Sequence, residues 1–368
     1  MSTLRERLRE RTDGYTVTPH QYVILAYAAL VALTVIVLTG AAVRLTGSGL
    51  GCPTWPKCYG NLYPPLNSHA VIEFSNRVLS VPIVLAAGFA WLGAVRRRPH
   101  RRGLVRLSAL LPLGVIAQAV LGGFTVKGAL DYGWVMGHFA LSMLIVLAAV
   151  LLVWRARLAE REDEREPAAA AEPSDLSSPR PSAPAVPAVP AVPAAAAAVL
   201  DRTVVLCARG LAALGGLVLF AGTAATAAGP HAGGSPGQKI NRLDFDGRGT
   251  MDFVIHRHAE IAFVFSLCAV GLWFLARRRG APERVQRPLT ILCWLLALQG
   301  AVGLDQYETH LPTELVWVHV LLACCAWIAV LWAALAAGPL EQRSLVTGAE
   351  RAPEGSLVGV GPLEFPGN

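Results

Sequence analysis

Four polar positions sit at one depth inside long apolar runs of this 368-residue chain: Asn76, His138, His258 and His319. Each lies a few residues to two turns inside the outer end of its run, within about 10 Å of the boundary at 1.5 Å per residue. Ionisable groups in hydrocarbon are costly and default to functional roles. Two imidazoles on neighbouring helices can hold a heme iron, one on each axial face of the planar macrocycle. His258 and His319 would make such a pair, six-coordinate, low-spin and suited to electron transfer. Zinc would call for more ligands at shorter spacing, with carboxylate or thiolate among them. The competing account of any one histidine is a buried side chain with its hydrogen bonds satisfied; the common depth argues against it. His256 stays open as an alternative ligand, since HRH at 256–258 offers two imidazoles on different helix faces.

Asn76 occupies the place in the first half that His258 occupies in the second. An amide oxygen is a poor iron ligand, so a heme held by His138 would have an open or weakly occupied face where substrate or oxygen chemistry can happen. Glu73 lies three residues earlier on the same helix face, and its counterpart is the inert Ile255. A general acid/base or a stabiliser of developing positive charge is one reading of Glu73; an ion pair with Arg77 is the other. Arg77 and Arg44 are candidates to pair with heme propionates, or are charges that set topology. In CPTWPKC, Cys52 and Cys58 either close a small disulfide loop or remain free thiols.

Hydrophobic residues make up 54% of the chain and charged ones only 15%, with a mean hydropathy of +0.48. Charged residues are about 25% of ordinary globular chains, so the expected class is an all-α polytopic membrane protein. Apolar stretches of about 20 residues, the length that crosses a bilayer core, fall near 21–44, 70–95, 104–126, 131–155, 203–228, 252–276, 286–304 and 313–337. RERLRER at the start leads into a full-length span, so no cleavable signal peptide is expected. Arginine collars (RERLRER, RRRPHRR, RAR with RERED, RRRG with RVQR) alternate along the eight spans and place both termini in the cytoplasm. The net charge of +7 is therefore topological, and nucleic-acid binding, which needs a basic groove with aromatics, is set aside.

The expected organisation is a cytoplasmic tip at 1–20, a first four-helix bundle at 21–155 and a Pro/Ala-rich linker at 156–202. A second bundle at 203–338 and a disordered tail at 339–368 follow. Gln118 pairs with Gln299 and His138 with His319 at an offset of 181; Gly40 with Gly222 and Asn76 with His258 differ by 182. One frame thus relates the halves as parallel repeats about a pseudo-twofold axis along the membrane normal.

At these residues the chain resembles the heme A synthase family, most specifically through GAAVRLTGSGLGCPTWPKCYG at 40–60, with VIEFSNR, VMGHF and WVHV agreeing. The resemblance covers all but the tip, linker and tail. It implies a multi-pass plasma-membrane enzyme that oxidises the C8 methyl of heme O to a formyl group by successive hydroxylations, through a gem-diol that loses water. It implies Glu73 as catalytic, His138 as ligand in the substrate half with Asn76 and Arg77 beside the substrate heme, and His258 with His319 as ligands of a heme b cofactor. Cys52 and Cys58 match the family's functional pair in the first outer loop. Implied partners are heme O, a heme O synthase and the cytochrome c oxidase assembly pathway, and a homo-oligomer is compatible with all of these. Two departures stand out: the family's first histidine is Asn76 here, and a second loop cysteine pair found in some members is absent from GPHAGGSPGQKINRLD. The alternatives are a mono-heme or di-heme membrane cytochrome b, which gives Glu73 no task, and a transporter of parallel repeats, which would be colourless.

Overall fold

The computed structural model describes residues 15–170, 201–235, 237–245 and 249–338, with backbone alone for 166–170. Among these residues eight helices are long and apolar enough to cross a membrane. They are α1 (Pro19–Leu45), α2 (Ser68–Arg96), α3 (Arg102–Lys127), α4 (Tyr132–Ala170), α5 (Arg202–Ala228), α6 (Thr250–Arg278), α7 (Glu283–Glu308) and α8 (Thr313–Ala336). The parts of the expected tip, linker and tail at 1–14, 171–200 and 339–368 lie outside the described residues.

Local sequence explains where the helices begin. Thr18 and Gln21 form a reciprocal capping box ahead of α1, Thr18 Oγ1 accepting from the Gln21 amide at 3.2 Å and Gln21 Oε1 from the Thr18 amide at 3.0 Å, with Pro19 in the first turn. Asn67 Oδ1 caps α2 by accepting from the Ala70 amide at 2.8 Å. The α3–α4 and α7–α8 turns are alike. Ala129 and Leu130 in one, and His310 and Leu311 in the other, take left-handed φ values of 50°, 59°, 64° and 63°. The Leu130 amide donates to Thr125 O at 2.9 Å and the Leu311 amide to Gln306 O at 2.6 Å.

Packing closes two rings. α1 contacts α2, α2 contacts α3, α3 contacts α4 and α4 returns to α1; α5, α6, α7 and α8 close in the same order. The rings meet where α8 touches α1 and α4, and where α4 touches α5. Lipid tails are as apolar as leucine, so close approach and van der Waals contact, not expulsion of water, hold such helices together. Small residues are buried along the helices concerned, Ala149 and Ala156 on α4 and Ala326, Ala329, Ala333 and Ala336 on α8.

The first bundle does not stop where its apolar run stops. α4 continues beyond 155 to Ala170, so the front of the expected linker is helical. Its residues, RARLAEREDERE, are good helix formers, and charge pairs hold the extension. Asp163 accepts from Arg97 at 2.5 Å and from Arg101 at 2.6 Å, Glu162 pairs with Arg101 at 2.6 Å, and Glu160 lies 3.1 Å from His20 Nδ1. Arg97 is fully buried in this network.

Candidate functional site

In the second ring His258 and His319 come from α6 and α8, which stand at opposite corners and have no close backbone approach among the described residues. Their side chains nevertheless meet across the interior, with ring centroids 6.3 Å apart and planes at 69°. That separation suits one atom bound between two imidazoles, with metal–nitrogen bonds of about 2 Å and ring centres about 1 Å further back. The other two helices make the room. A Cβ on Gly222 of α5 would lie 3.1 Å from His258 Cε1, and one on Gly303 of α7 would lie 3.3 Å from His319 Cε1. Gln299 Nε2 donates to the His319 carbonyl at 3.1 Å, tying α7 to the turn of α8 that carries this imidazole. His256 points elsewhere: it is exposed, its Nδ1 lies 2.7 Å from the Asp252 carbonyl, and its ring stands edge-on to Tyr307.

The first ring repeats half of this arrangement. Gln118 Nε2 donates to the His138 carbonyl at 2.9 Å, and a Cβ on Gly122 would lie 3.4 Å from His138 Cε1. Opposite, the pattern changes. A Cβ on Gly40 would meet nothing within 4 Å, where its counterpart Gly222 meets an imidazole. Asn76 Oδ1, His138 Nδ1 and His319 Nδ1 are all buried without a hydrogen-bond partner among the described residues. Buried polar atoms are normally satisfied, so these atoms fit a site that takes a ligand. Among the described residues no group of three or more His, Cys, Asp or Glu side chains gathers as a metal cluster. The donor set is imidazole pairs and singles, which is the set a heme takes.

Glu73 is 6% exposed and is held from two sides. The Cys52 amide donates to Oε2 at 2.7 Å, and Arg77 Nη2 donates to Oε1. The structure therefore brings Glu73 and Arg77 together as an ion pair one helical turn apart. Cys52 and Cys58 form a disulfide and are both fully buried against Ala70 and Phe74. Within the loop this bond closes, Arg77 Nη2 also donates to Cys52 O at 2.8 Å, and Nη1 to Thr54 O at 2.9 Å and Pro56 O at 3.3 Å. A glycine is required at position 51, because any Cβ there would overlap the His69 carbonyl at the start of α2.

Arg44 does not join Glu73. Its Nε donates to the His231 carbonyl at 3.0 Å in the outer loop of the second half. The Gly49 amide donates to Gly233 O and Ser235 Oγ to Gly47 O, both at 2.8 Å, so the α1–α2 loop is clasped to the α5–α6 loop. Residue types and spacing do not reveal this clasp, because every acceptor in it is a backbone carbonyl whose direction depends on how the loops fold. Trp55 was also missed: it lies over Gly123, where a Cβ would come within 3.0 Å of the indole, next to the glycine that accommodates His138. The signal available was the GG pair at 122–123 beside the CPTWPKC loop.

Comparison with known proteins places these residues in context. A model of the cytochrome oxidase assembly protein family matches residues 23–331. The heme A synthase of Lysinibacillus sphaericus (strain C3-41) is 37% identical over 139 residues, 35% of this chain and 42% of that protein. That of Geobacillus thermodenitrificans is 30% identical over 153 residues, 41% of this chain and 45% of its own length. That of Symbiobacterium thermophilum is 32% identical over 152 residues, 41% of this chain and 49% of its own. The chain spans less than half the length of each of these relatives.

Proposed function

Since the chain belongs to the cytochrome oxidase assembly protein family, we propose that it acts as a heme A synthase, oxidising the C8 methyl of heme O to the formyl group of heme A. One observation carries this reading: one ring has two facing imidazoles, the other a single imidazole and a buried carboxylate. His258 and His319 would hold a heme b, which supplies one-electron chemistry. His138 would hold heme O from one side. Asn76 would leave the other side less firmly held, with its amide free to hydrogen-bond a small molecule there.

Glu73 is proposed as the catalytic group. Loss of water from a gem-diol requires one hydroxyl to give up a proton and the other to leave as water, and a single carboxylate can take the first proton and deliver it to the second. Each oxygen of Glu73 already accepts one N–H bond, and a carboxylate oxygen has a second lone pair for such a transfer. The rest of the proposal follows the arginine pattern and the repeat offsets: eight helices across the cell membrane, both termini cytoplasmic, rings related by a pseudo-twofold axis along the normal, and heme O delivered by a heme O synthase.

The test is extraction and chromatography of hemes from membranes that also contain a source of heme O. Wild type yields heme A, and Glu73→Ala yields heme O with the heme b content unchanged. Normal heme A from Glu73→Ala removes the catalytic role; heme b as the sole pigment from wild type favours an electron-transfer cytochrome instead.

A further inference from the structure

We infer that Arg77 is a positioning residue: its guanidinium, gripped by carbonyls of the loop that Cys52–Cys58 closes, fixes the Glu73 carboxylate, so that the disulfide sets where the acid points. The inference rests on the proposed role of Glu73 and adds a device that controls it.

Arg77 is on the same helix as Glu73, four residues on, and its side chain is 18% exposed. A guanidinium carries five donors in a rigid fork. Here that fork spans two structures: one arm reaches Glu73, and both arms reach main-chain oxygens of Cys52, Thr54 and Pro56. With Lys57 O at 3.5 Å from Nη1, four carbonyl dipoles aimed at one cation hold it as a carboxylate would, without neutralising the charge that Glu73 sees. Cys52 is the joint of the assembly. Its side chain closes the loop, its carbonyl accepts from Arg77, and its amide donates to Glu73 at 2.7 Å.

An open loop would not keep this shape unaided. Carbonyls that converge on one point repel one another, and the closed ring offsets that cost by removing freedom from the open chain. The loop is also referenced to the other side of the site, because Trp55 packs over Gly123 while the adjacent Gly122 accommodates the His138 ring. Arg77 and the loop together therefore set Glu73 relative to the imidazole on α4. This account also leaves Arg77 little capacity as a propionate clamp, since both of its terminal nitrogens are engaged.

The experiment measures heme O conversion by the full-length protein in detergent, with heme b content read optically on the same samples. Arg77→Ala is expected to lower conversion about 10- to 100-fold, the cost of misplacing a catalytic group by about an ångström, at unchanged heme b. Added guanidinium should restore part of the loss by occupying the carbonyl cage. Cys52→Ser/Cys58→Ser should lower conversion similarly, and the triple variant should lose no more than either and gain nothing from guanidinium. Treating wild type with a dithiol, which breaks the S–S bond and leaves two thiols, should reproduce the double-serine loss, and reoxidation should reverse it. Additive losses, or guanidinium rescue that is equal with and without the disulfide, overturn the inference. If Arg77→Ala fails to fold, the reversible effect of the dithiol on wild type decides alone, and unchanged conversion sinks the idea. Full conversion by Glu73→Ala is a separate result that removes the functional reading instead.

Discussion

At position 76 an amide stands where the repeat frame sets His258, and the same frame predicts room for the larger ring. Gly222 leaves room for His258, whereas a Cβ on Gly40 would meet nothing within 4 Å, so an imidazole introduced by Asn76→His has somewhere to go. Nothing facing Asn76 Oδ1 is lost, because that atom has no hydrogen-bond partner among the described residues. On the proposed reading, the variant holds the first-ring heme between two imidazoles and retains it more fully through purification. Carbon monoxide should add to the first-ring heme of the wild type and not to that of the variant, as read from the optical difference spectrum. Equal carbon monoxide binding by the two proteins would mean that position 76 does not face the iron. Sequence already pointed to the four depth-matched positions and to Glu73, since imidazoles and carboxylates inside apolar runs are conspicuous. What encloses Glu73 was less legible. The Arg77 partner is readable from its spacing, but the Cys52 amide that also holds Glu73, and the Cys52, Thr54 and Pro56 carbonyls that hold Arg77, take directions that depend on how the loop folds.

At the scale of elements, hydropathy located all eight helices because a membrane span must be apolar for its full length. It misjudged the inner end of α4, where the helix leaves the apolar run and is stabilised by charge instead. That extension makes a specific demand on stability. Arg97 and Asp163 have side chains only 1% and 8% exposed, and the remaining contact of Arg97 is Nη1 to the Pro99 carbonyl at 2.6 Å. Removing one partner of a buried pair strands the other charge, at about 3–5 kcal/mol. Asp163→Ala should therefore lower the thermal unfolding midpoint in detergent clearly. Glu162→Ala, whose partner contact has a 62% exposed side chain on the acid side, should cost at most about 1 kcal/mol. Equal shifts from the two variants would show that burial of the pair is not what matters. Because this network lies at the far end of α2 from Glu73, the ratio of the proposed heme to protein in the surviving Asp163→Ala molecules should match wild type.

For the whole molecule, the question is whether two rings joined through a Pro/Ala-rich stretch stay together by contact or by tether. Contact is broad: α8 packs on α1 and α4, α4 packs on α5, and the outer loops clasp through Gly47, Gly49, Gly233 and Ser235. Two indoles reinforce the junction. Trp317 Nε1 donates to Leu38 O at 3.1 Å, and Trp327 Nε1 donates to Met143 O at 3.2 Å in a buried position. Hydrogen bonds between membrane helices are worth about 0.6 kcal/mol on average and up to about 1.7, so the indoles alone would not hold the rings. The helix-on-helix packing of α8 on α1 and α4, and of α4 on α5, supplies the larger share, and it asks nothing of the segment between them. Cutting the chain is thus expected to be tolerated. Fragments 1–185 and 186–368, produced together, should co-elute in detergent with the visible spectrum of the intact protein. Adding Trp327→Ala, which removes the indole that donates to the Met143 carbonyl across the junction, should loosen the pairing of the fragments while leaving the intact chain assembled. If the unmodified fragments elute apart, the tether and not the interface keeps the rings in register. The clasp between the α1–α2 and α5–α6 loops would then depend on covalent continuity between the rings.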